Sequence, residues 1–177
     1  MKKFPIPTRE QVSPANQMLF DNLTKKVGSV PNLYAIFAHS EHALGNYLTL
    51  QSGKTSLHSK EREVINLVVS QVNGCEYCLA AHTFISQKMG FSDEQILEIR
   101  KGTASFDPKM DALARMTKSM TENKGHADPQ LIEKFYAVGY NEGSLVDVVV
   151  AVGDKIISNY IFAVTQIPID FPPAPEL

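Results

Sequence analysis

Helix punctuation recurs along this chain at intervals that leave room for little else. Ser13-Pro14, Asp107-Pro108 and Asp128-Pro129 each set a capping side chain before a proline suited to the first helical position. Ser59 reads as a further cap, and Ser92 with Gln95 matches a capping box. Glycines at 28, 53, 74, 90, 102, 125 and 139 supply the stops. The pattern predicts helices over about 14–27, 31–38, 40–51, 59–73, 75–89 and 92–101. Two more run from Pro108 to the stop at Gly125 and from Pro129 to the stop at Gly139, and a long ninth covers about 144–166. No run of alternating β-branched residues is bounded by hairpin turns, so strands are not expected. The expected fold class is all-α, a compact multi-helix bundle with short connections.

The 177 residues fit one domain, read as 1–177 with extended arms at 1–12 and 167–177. The C-terminal arm carries Pro168, Pro172, Pro173 and Pro175, which lack backbone donors and cannot continue a helix. A net charge of -2 gives no general attraction to nucleic acid or to an anionic membrane. The most apolar stretch, Leu145 to Val164, is interrupted by Asp147, Asp154, Lys155, Ser158 and Asn159, and reads as a buried helix, not a membrane span. Met1-Lys2-Lys3 is followed by Phe4-Pro5-Ile6-Pro7 and not by a signal-like apolar run. The expected compartment is therefore the cytoplasm, where thiols stay reduced and a cysteine pair points to catalysis or metal binding.

The two cysteines of the chain, Cys75 and Cys78, stand three apart, and His82 follows four later. On a helix these offsets bring all three side chains to one face, which Ile85 and Met89 continue. Glu76, Thr83 and Gln87 fall elsewhere and are expected to see solvent. Cysteines at i and i+3 can close a disulfide within one turn, and a helix start favours the thiolate. His82 can accept the Cys78 proton, the nucleophile-plus-base arrangement of covalent catalysis. The helix start favours Cys75 as the attacking thiol, whereas proximity to His82 favours Cys78. If Gly74 turns a helical hairpin, Glu63 comes within about a turn of His82, at ~1.5 Å rise per residue, near enough to orient it through a water. Glu63, Asn66, Ser70 and Asn73 make a polar stripe that reads equally as the lining of a wet channel or as a solvent face.

The stretch from Glu63 to His82 resembles the signature of the alkylhydroperoxidase D (AhpD-like) family, within the carboxymuconolactone decarboxylase superfamily. That signature is a glutamate, eleven residues, Cys-x-x-Cys, three residues and a histidine, filled here by Glu63, Cys75, Cys78 and His82. The close resemblance covers about Glu63 to Gly90. It implies an AhpD-like all-α fold, a homo-oligomer (dimer, trimer or hexamer) and reduction of a small-molecule peroxide. In that scheme Cys78 attacks, Cys75 resolves, and His82 and Glu63 relay the proton. No cofactor is bound; a lipoyl-bearing protein or a thioredoxin-type dithiol serves as electron donor. Tyr77 stands where the best-known members of the family have histidine, just before the second cysteine. Tyr77 and Ser70 are candidate supporting residues, Tyr77 as a hydrogen-bond donor or as packing.

Two other classes stay in view. A lactone decarboxylase of the same superfamily has no use for a paired dithiol. A non-catalytic bundle, redox-responsive or metal-stabilised, needs only that the cysteines pair or bind. A structural zinc site asks for four ligands, usually two separated pairs, and this chain has one pair plus His82 and Glu63. No metal is expected.

Overall fold

The punctuation translates into nine α-helices in the computed structural model, which describes residues 4–177, with the third starting three residues later and the ninth two residues earlier than expected. The helices are α1 (Pro14–Val27), α2 (Asn32–Phe37), α3 (Ala43–Ser52), α4 (Ser59–Val72), α5 (Glu76–Lys88), α6 (Asp93–Arg100), α7 (Pro108–Glu122), α8 (Pro129–Ala137) and α9 (Glu142–Thr165). No strand occurs among the described residues. The caps are those expected at Ser13, Ser92, Asp107 and Asp128, each accepting from a backbone N–H of the first turn. At α4 the reading is corrected by one residue. His58 takes the cap position, Glu61 reaches back to the His58 N–H at 2.7 Å, and Ser59 is the first helical residue. The first three residues of the expected N-terminal arm lie outside the described residues. The rest of that arm is extended except for a 3-10 turn over Arg9–Gln11. The C-terminal arm is non-helical, as expected.

The described chain forms two compact units. One comprises the residues through Lys54 with Tyr160–Asp170. Inside it, buried Asn16 on α1 donates to the carbonyls of Ala38 and Ser40 at 3.2 and 3.0 Å, and Phe37 stacks on Tyr47 at 4.3 Å. Asn32 is held by Asp170 at 2.8 Å, so the chain after α9 is tied down within the unit.

The other unit, Thr55–Asn159 with Phe171–Leu177, contains the candidate site. Its core is organised by α4, which packs against α5, α6 and α7. Val64, Ile65, Leu67, Val68 and Val69 are fully buried there. β-branched residues are mediocre helix formers, so α4 is held by burial more than by propensity. At its end Gly74 adopts φ +62°, a left-handed conformation that costs a residue with a Cβ about 1–2 kcal/mol. The Cys75 N–H returns to the Ser70 carbonyl at 2.9 Å, and the chain reverses into α5 with Cys75 as its cap. Val148 and Val152 of α9 complete the core, while Val146, Val149, Val150 and Ile157 on its other side are exposed. By length and composition α9 could cross a bilayer, yet its Lys155 is 3% exposed and hydrogen-bonded within the unit.

At the start of α4, buried Glu61 accepts from the Tyr140 hydroxyl at 2.6 Å and pairs with Lys109 at 3.1 Å. The Tyr140 ring stacks on Phe135 at 4.1 Å. Burial pushes the Glu61 carboxyl up, but Tyr140, the His58 N–H and Lys109 together hold it below the usual carboxylate range. Tyr140→Phe keeps the stack and removes one charged hydrogen bond, so it is expected to destabilise the chain by about 1.5–3 kcal/mol in a urea titration.

Candidate active site

The Gly74 hairpin lays α4 alongside α5, and this sets the register of the polar stripe. Glu63 meets His82 directly, Oε2 to Nδ1 at 2.8 Å, with no need for the water that spacing suggested. Asn66 donates to the other oxygen of Glu63 at 2.9 Å. Glu63 and Ser70 are buried, 6% and 0% exposed, so this part of the stripe does not face solvent. Asn73 is exposed, but its side chain also turns toward the interior and donates to Asn159 Oδ1 at 2.9 Å. Burial pushes the Glu63 carboxyl up; the charge and hydrogen bond of His82, the charge of Lys155 and the Asn66 amide outweigh it and hold the group below the ordinary carboxylate range.

Cys75 and Cys78 are both buried, 2% exposed each. As cap of α5, Cys75 accepts the Cys78 N–H on its sulfur at 3.3 Å. The two thiols are strongly differentiated. Cys78 is lowered to about 6, first because the Cys75 thiol donates to its sulfur. Burial opposes this, and the charges of Lys155 and His82 with the Asn159 amide add to it. Cys75 is pushed far above the usual thiol range, because its proton is held by the Cys78 sulfur and because it is buried. The acidity of the pair is thus drawn toward Cys78, against the preference that a helix start would give Cys75.

α9 supplies groups that no motif in the sequence marks. Lys155, Ser158 and Asn159 stand at i, i+3 and i+4, hence on one face, and all three point at the thiols or at His82. Lys155 Nζ lies 2.7 Å from His82 Nε2. Ser158 Oγ is 4.0 Å from the Cys78 sulfur, and Asn159 donates to buried Ser70 at 3.4 Å. Ser70 thus orients the amide that touches both sulfurs. The signal was present as three polar residues grouped at helical spacing in an apolar helix.

Tyr77 is 2% exposed and meets Phe171 of the C-terminal arm edge-on at 5.7 Å. Thr83, expected at the surface, is 5% exposed and belongs to the interior; Glu76 and Gln87 are exposed as expected. Among the described residues no three His, Cys, Asp or Glu side chains converge as metal ligands would.

Residues 38–119 match the model of the carboxymuconolactone decarboxylase family. The uncharacterized protein YdfG of Bacillus subtilis is 27% identical over 101 residues, 56% of this chain and 69% of its own. The alkyl hydroperoxide reductase AhpD of Mycobacteroides abscessus is 34% identical over 62 residues, 35% of each chain. Among solved structures, an AhpD-core, uncharacterized peroxidase-related protein of Ralstonia eutropha JMP134 superposes with a TM-score of 0.82 at 18% identity, covering 97% of this chain and 91% of that one. The debrominase Bmp8 superposes with a TM-score of 0.77 at 14% identity, covering 96% and 92%. At such identities the structures establish the fold and not the reaction. Residues 38–119 are thus similar to the carboxymuconolactone decarboxylase family, and the chain has the all-helical fold of AhpD-like structures.

Proposed function

We propose that this chain is a thiol peroxidase that reduces organic hydroperoxides through a dithiol–disulfide cycle. The observation that carries the reading is a buried pair of thiols within one helical turn, Cys75 accepting the Cys78 N–H on its sulfur, with acidity drawn toward Cys78. The Cys78 thiolate attacks the terminal oxygen of ROOH, the O–O bond breaks, and Cys78 becomes a sulfenic acid. The departing alkoxide takes one proton and leaves as ROH. The Cys75 sulfur then displaces hydroxide from Cys78, which leaves with the Cys75 proton as water, and a disulfide remains. An external dithiol, of lipoyl or thioredoxin type, returns two electrons and two protons. His82 acts on Cys78 and is held by Glu63, so the pair orients the proton transfer. A decarboxylase would leave the second thiol without a task, and a debrominase of this fold is a reminder that the oxidant has to be tested.

The test is intact-mass thiol counting after a short pulse of cumene hydroperoxide, followed by turnover with excess dihydrolipoamide. Loss of both thiols as an internal disulfide, and peroxide consumption over many cycles, are expected. Two alkylatable thiols after the pulse would remove peroxide as the substrate and turn attention to lactone and organohalide substrates.

A further inference from the structure

Both ring nitrogens of His82 are occupied. Nδ1 faces Glu63 at 2.8 Å and Nε2 faces Lys155 at 2.7 Å. An ammonium donating to Nε2 requires the ring proton to sit on Nδ1, where the Glu63 carboxylate accepts it. The nitrogen that a simple cysteine–histidine pair would turn to the sulfur is thus committed to Lys155. Lys155 is itself 3% exposed, and a buried ammonium is kept only where anions compensate it. The groups facing it and Cys78 are His82 and Cys75 on α5, Glu63 on α4, and Ser158 and Asn159 on α9. Two of these can supply negative charge: Glu63 behind His82, and Cys78, whose sulfur lies 4.0 Å from the Oγ of Ser158, one turn along α9 from Lys155.

We propose that Lys155 is the counter-ion of the Cys78 thiolate and the acid that protonates the departing alkoxide, with His82 and Glu63 as positioning residues behind it. The acid half rests on the peroxide reading; the counter-ion half does not. In the first step Lys155 passes one proton to RO⁻, giving ROH and a neutral amine. When the external dithiol reduces the disulfide, one of its two protons restores the Cys75 thiol. The other returns to Lys155 as Cys78 leaves as a thiolate. Lys155 is the largest charge that favours the Cys78 thiolate, consistent with that order.

The experiment follows the alkylation rate of Cys78 by iodoacetamide against pH, using peptide mass mapping, in wild type, Lys155→Met and Lys155→Arg. Wild type is expected to titrate near 6. Lys155→Met moves the midpoint toward that of a free thiol, ~8.5, and slows alkylation at pH 7 by about tenfold or more. Lys155→Arg keeps the charge but cannot release a proton, so it holds the midpoint near that of wild type while peroxide turnover falls about a hundredfold. If Lys155→Met does not fold, Lys155→Gln, which keeps a donor to His82 without the charge, is held to the same midpoint shift. An unmoved midpoint in the folded neutral variant overturns the counter-ion. Full turnover in Lys155→Arg overturns the acid. If wild type ignores peroxide while the midpoint still moves, the peroxide reading fails and the thiolate pair stands.

Discussion

Cys78→Ser is expected to abolish peroxide turnover, by about 10³-fold or more, the scale on which loss of a nucleophile acts. Cys75→Ser is expected to react once and stop, with Cys78 trapped as a sulfenic acid that dimedone labels. The asymmetry follows from the site. Cys78 has Lys155 as its positive field and draws the acidity of the pair, whereas Cys75 caps α5 with its sulfur and is raised. Serine at 75 can still accept the N–H at the cap, being a better capping residue than cysteine, so the helix start should survive. It cannot resolve a sulfenic acid. Loss of the Cys75 donor also raises the Cys78 thiol, so the single reaction of Cys75→Ser should be slower at neutral pH and recover as pH rises. The reverse pattern, with label on Cys75 in Cys78→Ser and none on Cys78 in Cys75→Ser, would exchange the two roles. Intact mass before and after dimedone distinguishes the outcomes directly.

How much of this could be read from the residues depends on distance along the chain. Caps and stops are local, so Ser13-Pro14, Ser92 with Gln95, Asp107-Pro108 and Asp128-Pro129 marked their helices to within a residue or two. The slip at α4 was local as well. His58 and Ser59 are both plausible caps, and what decides between them is which one Glu61 can reach. Cys75, Cys78 and His82 were legible because offsets of three and four put them on one face whatever the helix packs against. Glu63 was nearly so, since one hairpin separates it from His82; the missing detail was that the helices pack closely enough for direct contact. Lys155 was not legible. It is 73 residues from His82, and only the packing of α9 against the α4–α5 hairpin unites them. Thr83 erred for the same reason, since the side of α5 away from the thiols is covered too.

Glu63→Gln is expected to cost about 3 kcal/mol of stability at neutral pH, the lower end of what removing one partner of a buried pair costs. For a domain of this size that lowers Tm by roughly 6–12 °C. The amide preserves shape and an acceptor for the His82 ring proton, so packing and the hydrogen bond are not what is lost. What is lost is the negative charge that balances Lys155 through His82 in a site where Glu63 and Lys155 are 6% and 3% exposed. The pH dependence separates this from a steric defect. The folded carboxyl lies below its ordinary value of 4.5, so its contribution is fully present above that value and disappears as pH falls through the folded one. Urea midpoints of wild type and Glu63→Gln should therefore differ most near neutrality and converge in acid, where the wild-type carboxyl becomes as neutral as the amide. A gap that stays constant with pH would assign the effect to packing. No gap at neutral pH would mean that the Cys78 thiolate alone suffices to hold Lys155, and Cys78→Ser should then show the stability loss that Glu63→Gln does not.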